Sequence, residues 1–322
     1  MEYVGIQTQA RRNNLRSVLL LVLFPTVIVA LTWLFFYIIF NVEDTGYGAE
    51  AVVLSTNYSF LQALPWVLGL CGLWFTIAYF SHSMMINSAA HSHLLNRKDN
   101  KRVYNLVENL CMANGMSMPK VNVIEDSSIN AFASGINKKT YTVTLSRGAI
   151  DKLNDDELEG VIAHELTHIR NKDVRVLIVS IIFVGIFAFL SNLAFRSILY
   201  GRWSRGGGKN DKGGAAIVMI VVLALAVVGY LITILLRFAI SRKREYMADA
   251  GGAQMTKNPR ALASALRKIS GDSCIEAVTR EDVAQLFIEH AAKGKGGKTS
   301  FFSSIFATHP PIEKRIKLLE QF

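Results

Sequence analysis

Four stretches of 20 or more residues carry no charge: Ser17 to Phe40, Phe60 to Phe80, Val176 to Phe195 and Ala215 to Leu236. At about 1.5 Å per residue, each is long enough as a helix to cross a hydrocarbon core roughly 30 Å thick. Backbone amides inside a bilayer find no water, so runs of this kind are driven to helices, with polar domains between them. The first run follows Arg11, Arg12 and Arg16, as a signal peptide would, but it is too long for an h-region and no small-residue cleavage site closes it. It reads as an uncleaved anchor in which Pro25 is tolerated as a kink. Asn41 to Ser59 holds Glu43, Asp44 and Glu50 and no Lys or Arg, whereas Arg97, Lys98, Lys101 and Arg102 follow the second run. That asymmetry predicts a multi-pass protein of the cell (inner) membrane, with the N-terminus and residue 82 onward in the cytoplasm.

The third and fourth runs form a hairpin around Arg196 to Gly214, where five Lys or Arg stand against one Asp. A spanning hairpin would put this basic loop outside, against the charge rule. Either the first pair of spans overrules later charges or the hairpin is partly buried in protein, and the residues leave both open.

Composition narrows the class further. The net charge of +10 is spread over sites that largely flank the apolar runs, with no basic stripe interleaved with aromatics, so nucleic acid is not an expected partner. Cys71, Cys111 and Cys274 are odd in number and scattered, which offers neither a disulfide framework nor a cysteine zinc cluster.

Between the runs lie two polar blocks, 82–173 and 237–322, together about 180 residues, the size of one domain. The expected organisation is an anchor of two transmembrane helices over 1–81, a first catalytic part over 82–173, a hydrophobic hairpin over 174–236 and a second catalytic part over 237–322. The expected fold is mainly α with a small β-sheet. Val103, Leu106, Leu110 and Cys111 are spaced as one face of a helix that ends at Gly115. Val121 to Ile124 and Tyr141 to Leu145 read as short strands around the turn-prone Asn137-Lys138-Lys139, with Asn130 to Gly135 as a third extended segment. His91-x-His93 reads as a solvated interfacial loop, Glu281 to Ala292 as an amphipathic helix, and the glycine-rich Lys293 to Ser304 as a mobile loop.

Chemistry concentrates after Asn154, which resembles an N-cap with Glu157 three residues on and Asp155 and Asp156 at the positive end of the helix dipole. That helix carries His164-Glu165-Leu166-Thr167-His168. Imidazoles four residues apart project from one face and can reach one Zn²⁺ at about 2.0–2.1 Å, while Glu165 can face the water to be activated. A catalytic zinc takes three protein ligands and keeps one position open. The metzincin pattern would need Gly at 171 and His at 174, where Asn171 and Val174 stand. The best remaining candidate is Arg244-Glu245-Tyr246-Met247-Ala248-Asp249 after the fourth run. On a helix Glu245 and Asp249 share a face, so Glu245 can ligate while Asp249 accepts an imidazole N–H.

Taken together these motifs resemble the M48 family of peptidases, and its HtpX-like membrane branch closely. The resemblance runs through nearly the whole chain: two N-terminal spans, Asn130-Ala131-Phe132-Ala133, the HELTH helix, a hydrophobic hairpin, REYMAD, and His309-Pro310-Pro311 followed by Arg315. It implies a discontinuous zincin-like, gluzincin-type catalytic domain holding one Zn²⁺ per chain on His164, His168 and Glu245, with Glu165 as base and Asp249 orienting a ligand. It implies that His309 and Arg315 lie near the active site, where cations stabilise an oxyanion; for His309 a Pro-capped helix start before Ile312 is the equal alternative. It also implies that Asn130, Ala131, Phe132, Ala133 and Ser134 form an edge strand pairing with substrate, so the expected partners are unfolded or misassembled membrane proteins and the lipid bilayer. Competing readings are a prenyl-protein (CAAX-type) endoprotease of the same family, a non-enzymatic membrane zinc protein, and a zinc amidohydrolase or esterase. The second is disfavoured because a closed structural site has no use for Glu165 and because no charge lies within the first, second or fourth run.

Overall fold

The computed structural model describes residues 6–42, 48–182, 185–186, 220–229, 242–272 and 310–321. The first run lies in helix α1 (Ile6–Val42), which passes through Pro25, and the second in α2 (Ala49–Ala89). Both are longer than their apolar runs: α2 has 41 residues, about 60 Å of helix, and begins at Ala49, well before Phe60. Both are long and apolar enough to cross a membrane, with only 17% and 6% of their most apolar stretches buried. That separates them from the core helices of a soluble protein. The outward residues, among them Leu19, Val22, Trp66, Leu70 and Phe80, are large and apolar, the surface that lipid covers. Of the third and fourth runs, residues 176–182, 185–186 and 220–229 are described, and all of these are helical.

The chain divides into two compact units. One comprises Val18–Phe80 and Val179–Leu236, and within it Trp74 Nε1 donates to the carbonyl of Ile182 at 3.3 Å. The other comprises Met1–Ser17, Ser81–Ile178 and Arg237–Phe322, and it holds every described residue of interest to catalysis.

In this second unit a four-stranded sheet has the order β1-β2-β4-β3, from β1 (Ser92–Leu94), β2 (Lys120–Ile124), β3 (Ala131–Ser134) and β4 (Thr142–Ser146). β2 and β4 pair in parallel, and the two outer strands pair antiparallel with them. Residues 92–94 therefore depart from the loop expected for His91-x-His93. A Ser-His-Leu triplet shows no strand pattern, and pairing of its backbone with Val123 and its neighbours is what makes it one. β3 closes the opposite edge, with all four residues buried.

Between the sheet and the later helices lies α5 (Asp155–Arg170), preceded by α3 (Lys101–Ala113) and the short α4 (Arg147–Lys152). The start of α5 is a complete capping box: Asn154 accepts from the Glu157 N–H and Glu157 accepts from the Asn154 N–H. Glu157 reaches further, accepting from Ser264 at 2.7 Å and Lys268 at 2.6 Å. Burial pushes its carboxyl up, but these bonds and the Asn154 N–H more than reverse that and hold it below the usual range. One side chain thus starts the helix and ties it to a helix later in the chain. After α5, a helix over 173–182 (α6) and Ile220–Gly229 (α7) precede α8 (Arg242–Thr256), α9 (Pro259–Gly271) and α10 (Ile312–Glu320). Leu158, Ile162 and Leu166 of α5 are wholly buried, forming the core that fixes this helix in place.

Candidate metal centre and active site

α5 and α8 cross at close range because α8 carries two successive glycines. A Cβ on Gly252 would stand 3.2 Å from the His164 backbone nitrogen, and one on Gly251 would stand 2.4 Å from Thr167 Cγ2. Thr167 is β-branched and pinned by its own bond to the Ala163 carbonyl at 2.8 Å, so it has no room to yield. Gly251→Ala is expected to force the helices apart, costing about 1–3 kcal/mol and lowering the melting temperature in detergent. Adding Thr167→Ala removes the obstructing atoms and should restore most of the loss.

The close crossing brings Glu245 onto the HExxH face. The Nε2 atoms of His164 and His168 are 3.2 Å apart. Glu245 Oε2 lies 3.7 Å from the first of these nitrogens and Oε1 lies 3.6 Å from the second. One ligand atom from each of the three residues falls within 4.8 Å of the others. Two nitrogens bound to one tetrahedral zinc at 2.0–2.1 Å stand about 3.3 Å apart, so the donor set matches zinc. His164 is fully buried, whereas the His168 side chain is 15% exposed.

Charged groups surround the candidate ligands. Asp249 Oδ1 stands 3.0 Å from His164 Nδ1, leaving Nε2 to face His168 and Glu245. Arg315, on α10 and 1% exposed, holds that carboxylate with two parallel bonds of 2.8 Å from Nε and Nη2. Burial pushes the Asp249 carboxyl up, but the charge and bonds of Arg315 and the bond to His164 outweigh it and hold the group below the usual range. For His164, burial pulls the imidazole down, but Asp249 and Glu245 overcome it and raise the pKa to about 9. Glu165 is raised, first by its burial and further by Glu245, against the lowering pull of His164, His168 and a bond from the Ala133 N–H.

That last bond ties β3 to the site. Ser146 N–H donates to the Asn130 carbonyl, so Ala131 and Ala133 turn their backbone groups away from β4, toward the open edge of the sheet. There the Ala131 N–H meets Asn130 Oδ1 at 2.9 Å and the Ala133 N–H meets Glu165. Thus His164, Glu165, His168, Glu245, Asp249, Arg315 and the Asn130–Ser134 strand gather at one place. His309 lies outside the described residues, as do Glu281 to Ala292 and Lys293 to Ser304.

Sequence reasoning missed Asp173. Its Oδ2 lies 3.1 Å from His168 Nδ1. Five residues do not repeat on a helix face; the backbone comes back because Lys172 adopts a left-handed φ of 60° between α5 and α6. No spacing rule would have found it.

Two histidines from one helix turn, a carboxylate from a crossing helix, and a buried glutamate beside them make up the donor arrangement of hydrolytic zinc enzymes. Residues 97–322 match peptidase family M48. Similar proteins include a protease HtpX homolog of Bacteroides fragilis (strain YCH46), 60% identical with all of both chains covered. Another is a protease HtpX homolog of Listeria monocytogenes serotype 4b (strain CLIP80459), 37% identical over 85% of this chain and 90% of the relative. A crystal structure of Ste24p from S. mikatae is similar with a TM-score of 0.42 and 17% identity, covering 84% of this chain and 66% of that one. The chain belongs to peptidase family M48, on its HtpX-like branch.

Proposed function

We propose that this protease is a membrane-anchored zinc endopeptidase that cleaves unfolded or misassembled membrane proteins at the cytoplasmic face of the cell membrane. The observation that carries the reading is the convergence of His164 Nε2, His168 Nε2 and Glu245 beside a buried Glu165 whose affinity for protons is raised. Those three residues would hold a zinc ion, which would supply the Lewis acidity to polarise a scissile carbonyl and to make water acidic near neutral pH.

The remaining work falls to the chain. Glu165 takes the proton of the attacking water and hands it to the leaving amine, for which a carboxyl whose affinity for protons is raised by burial is suited. The outer edge of β3 accepts an extended substrate as an added strand read through its backbone, the substrate taking over the Ala131 and Ala133 N–H groups held here by Asn130 Oδ1 and Glu165. Strand addition needs a segment without structure of its own, which favours unfolded polypeptides over folded ones. The apolar α1 and α2 anchor the chain in a bilayer, the source of such substrates. The prenyl-protein alternative gains no support from relatives that carry the HtpX name.

Dialysis of the purified protein against a strong chelator is expected to abolish cleavage of an unfolded test protein. About one equivalent of zinc per chain should restore it. Full cleavage by protein that metal analysis shows to be zinc-free would overturn the reading.

A further inference from the structure

Asn13 is fully buried on α1, between the exposed Arg12 and Leu15. A buried amide is costly unless each hydrogen finds an acceptor. Its Nδ2 donates to Asp173 Oδ1 at 2.6 Å and to the Asn171 carbonyl at 2.9 Å. Asp173, 3% exposed, accepts from the His168 Nδ1–H at 3.1 Å with its other oxygen. Ser17, one turn along α1, donates to the Asn13 carbonyl at 2.9 Å, and Arg244 donates to the Asp173 carbonyl at 3.2 Å. The contacts form an unbroken line from the N-terminal helix to a metal ligand.

We propose that Asn13 is a positioning residue for His168, acting through Asp173, so that the first turns of α1 form part of the metal centre; the inference rests on the zinc reading above. A carboxylate that accepts the Nδ1–H of an imidazole fixes its tautomer and ring angle and presents the Nε2 lone pair to the metal. That carboxylate works only if it cannot swing about its own χ2. The Asn13 amide supplies the second anchor, on the oxygen that His168 does not use. A leucine of similar volume would fill the space as well, so the need for an amide lies in its two donors. A displacement of these turns by one helical repeat, about 5.4 Å, would break both bonds and release Asp173.

The test is a double-mutant cycle on the full-length protein in detergent, using Asn13→Leu, Asp173→Ala and the pair. Zinc affinity is read by competition with a chromophoric chelator and site geometry by the visible spectrum of the Co²⁺-substituted protein. Asn13→Leu is expected to weaken zinc about tenfold, within the 10- to 100-fold range of groups that orient a ligand, and to shift the cobalt bands. In the Asp173→Ala background, where the carboxylate that accepts from the amide is gone, it should cost nothing further. Asn13→Ala, which creates a void, serves as the second variant and should show the same dependence on Asp173. Wild-type affinity and spectrum in Asn13→Leu would overturn the proposal. So would an equal loss in both backgrounds, which is the mark of packing alone. Failure of the unaltered protein to take up zinc or cobalt would instead refute the zinc reading, so the two failures are distinguishable.

Discussion

Glu165→Gln is expected to retain about one zinc per chain while its turnover of an unfolded substrate falls by roughly 10²–10⁴-fold, the contribution of a positioned general base. The substitution is conservative in the ways that matter for folding. Glutamine keeps the volume, and its carbonyl oxygen can still accept from the Ala133 N–H. It also removes an ionisable group that is 2% exposed and whose charged form burial disfavours, so stability should hold or rise. What glutamine lacks is any capacity to take a proton from water at neutral pH. Zinc content, melting temperature and cleavage rate are to be measured on the same preparation. Undiminished cleavage would remove Glu165 from the mechanism, and loss of zinc with activity would show that it supports the metal instead.

The second large effect belongs to Arg315→Met. Removing a buried guanidinium while leaving its partner carboxylate behind costs about 3–5 kcal/mol, and Asp249, 4% exposed, is such a partner. Zinc affinity should fall about 10- to 100-fold as His164 loses a fixed acceptor. The protonation of His164 adds to this. Its pKa is already about 9, and the charge of Arg315 is one of the influences that lower it. Without Arg315 the imidazole becomes more basic, and zinc must displace a more tightly held proton. Zinc affinity of the unaltered protein should therefore rise with pH until about 9 and then level off, and in the variant the rise should continue to higher pH. An oxyanion role for Arg315 predicts the opposite pattern: slower turnover with zinc affinity and its pH profile unchanged. Measuring affinity from pH 6 to 10 separates the two.

The local features of the site were legible because local chemistry makes them. Asn154 and Glu157 cap α5 by bonds between residues three apart, and His164 and His168 share a face because a helix repeats at 3.6 residues. The spacing of Glu245 and Asp249 told, in the same way, that one could ligate while the other orients. Strands β2 and β4 showed their apolar residues, whereas Ser92–Leu94 did not, since its strand character comes from pairing with β2.

By itself, then, the sequence determined the membrane-length runs, the helix that carries His164, Glu165 and His168, and the acidic pair that could complete the set. All of these depend on periodicity, charge and composition, which act over a few residues. Only the tertiary structure decided that Gly251 and Gly252 let α8 approach α5 at backbone distance and so carry Glu245 to the histidines. It alone brought Arg315 from α10 onto Asp249, turned Asp173 back to His168 through the left-handed Lys172, and set Asn13 against Asp173 from 160 residues away. Such contacts depend on which surfaces can be buried together at no cost in unpaired polar groups, and that choice is made by the whole fold at once.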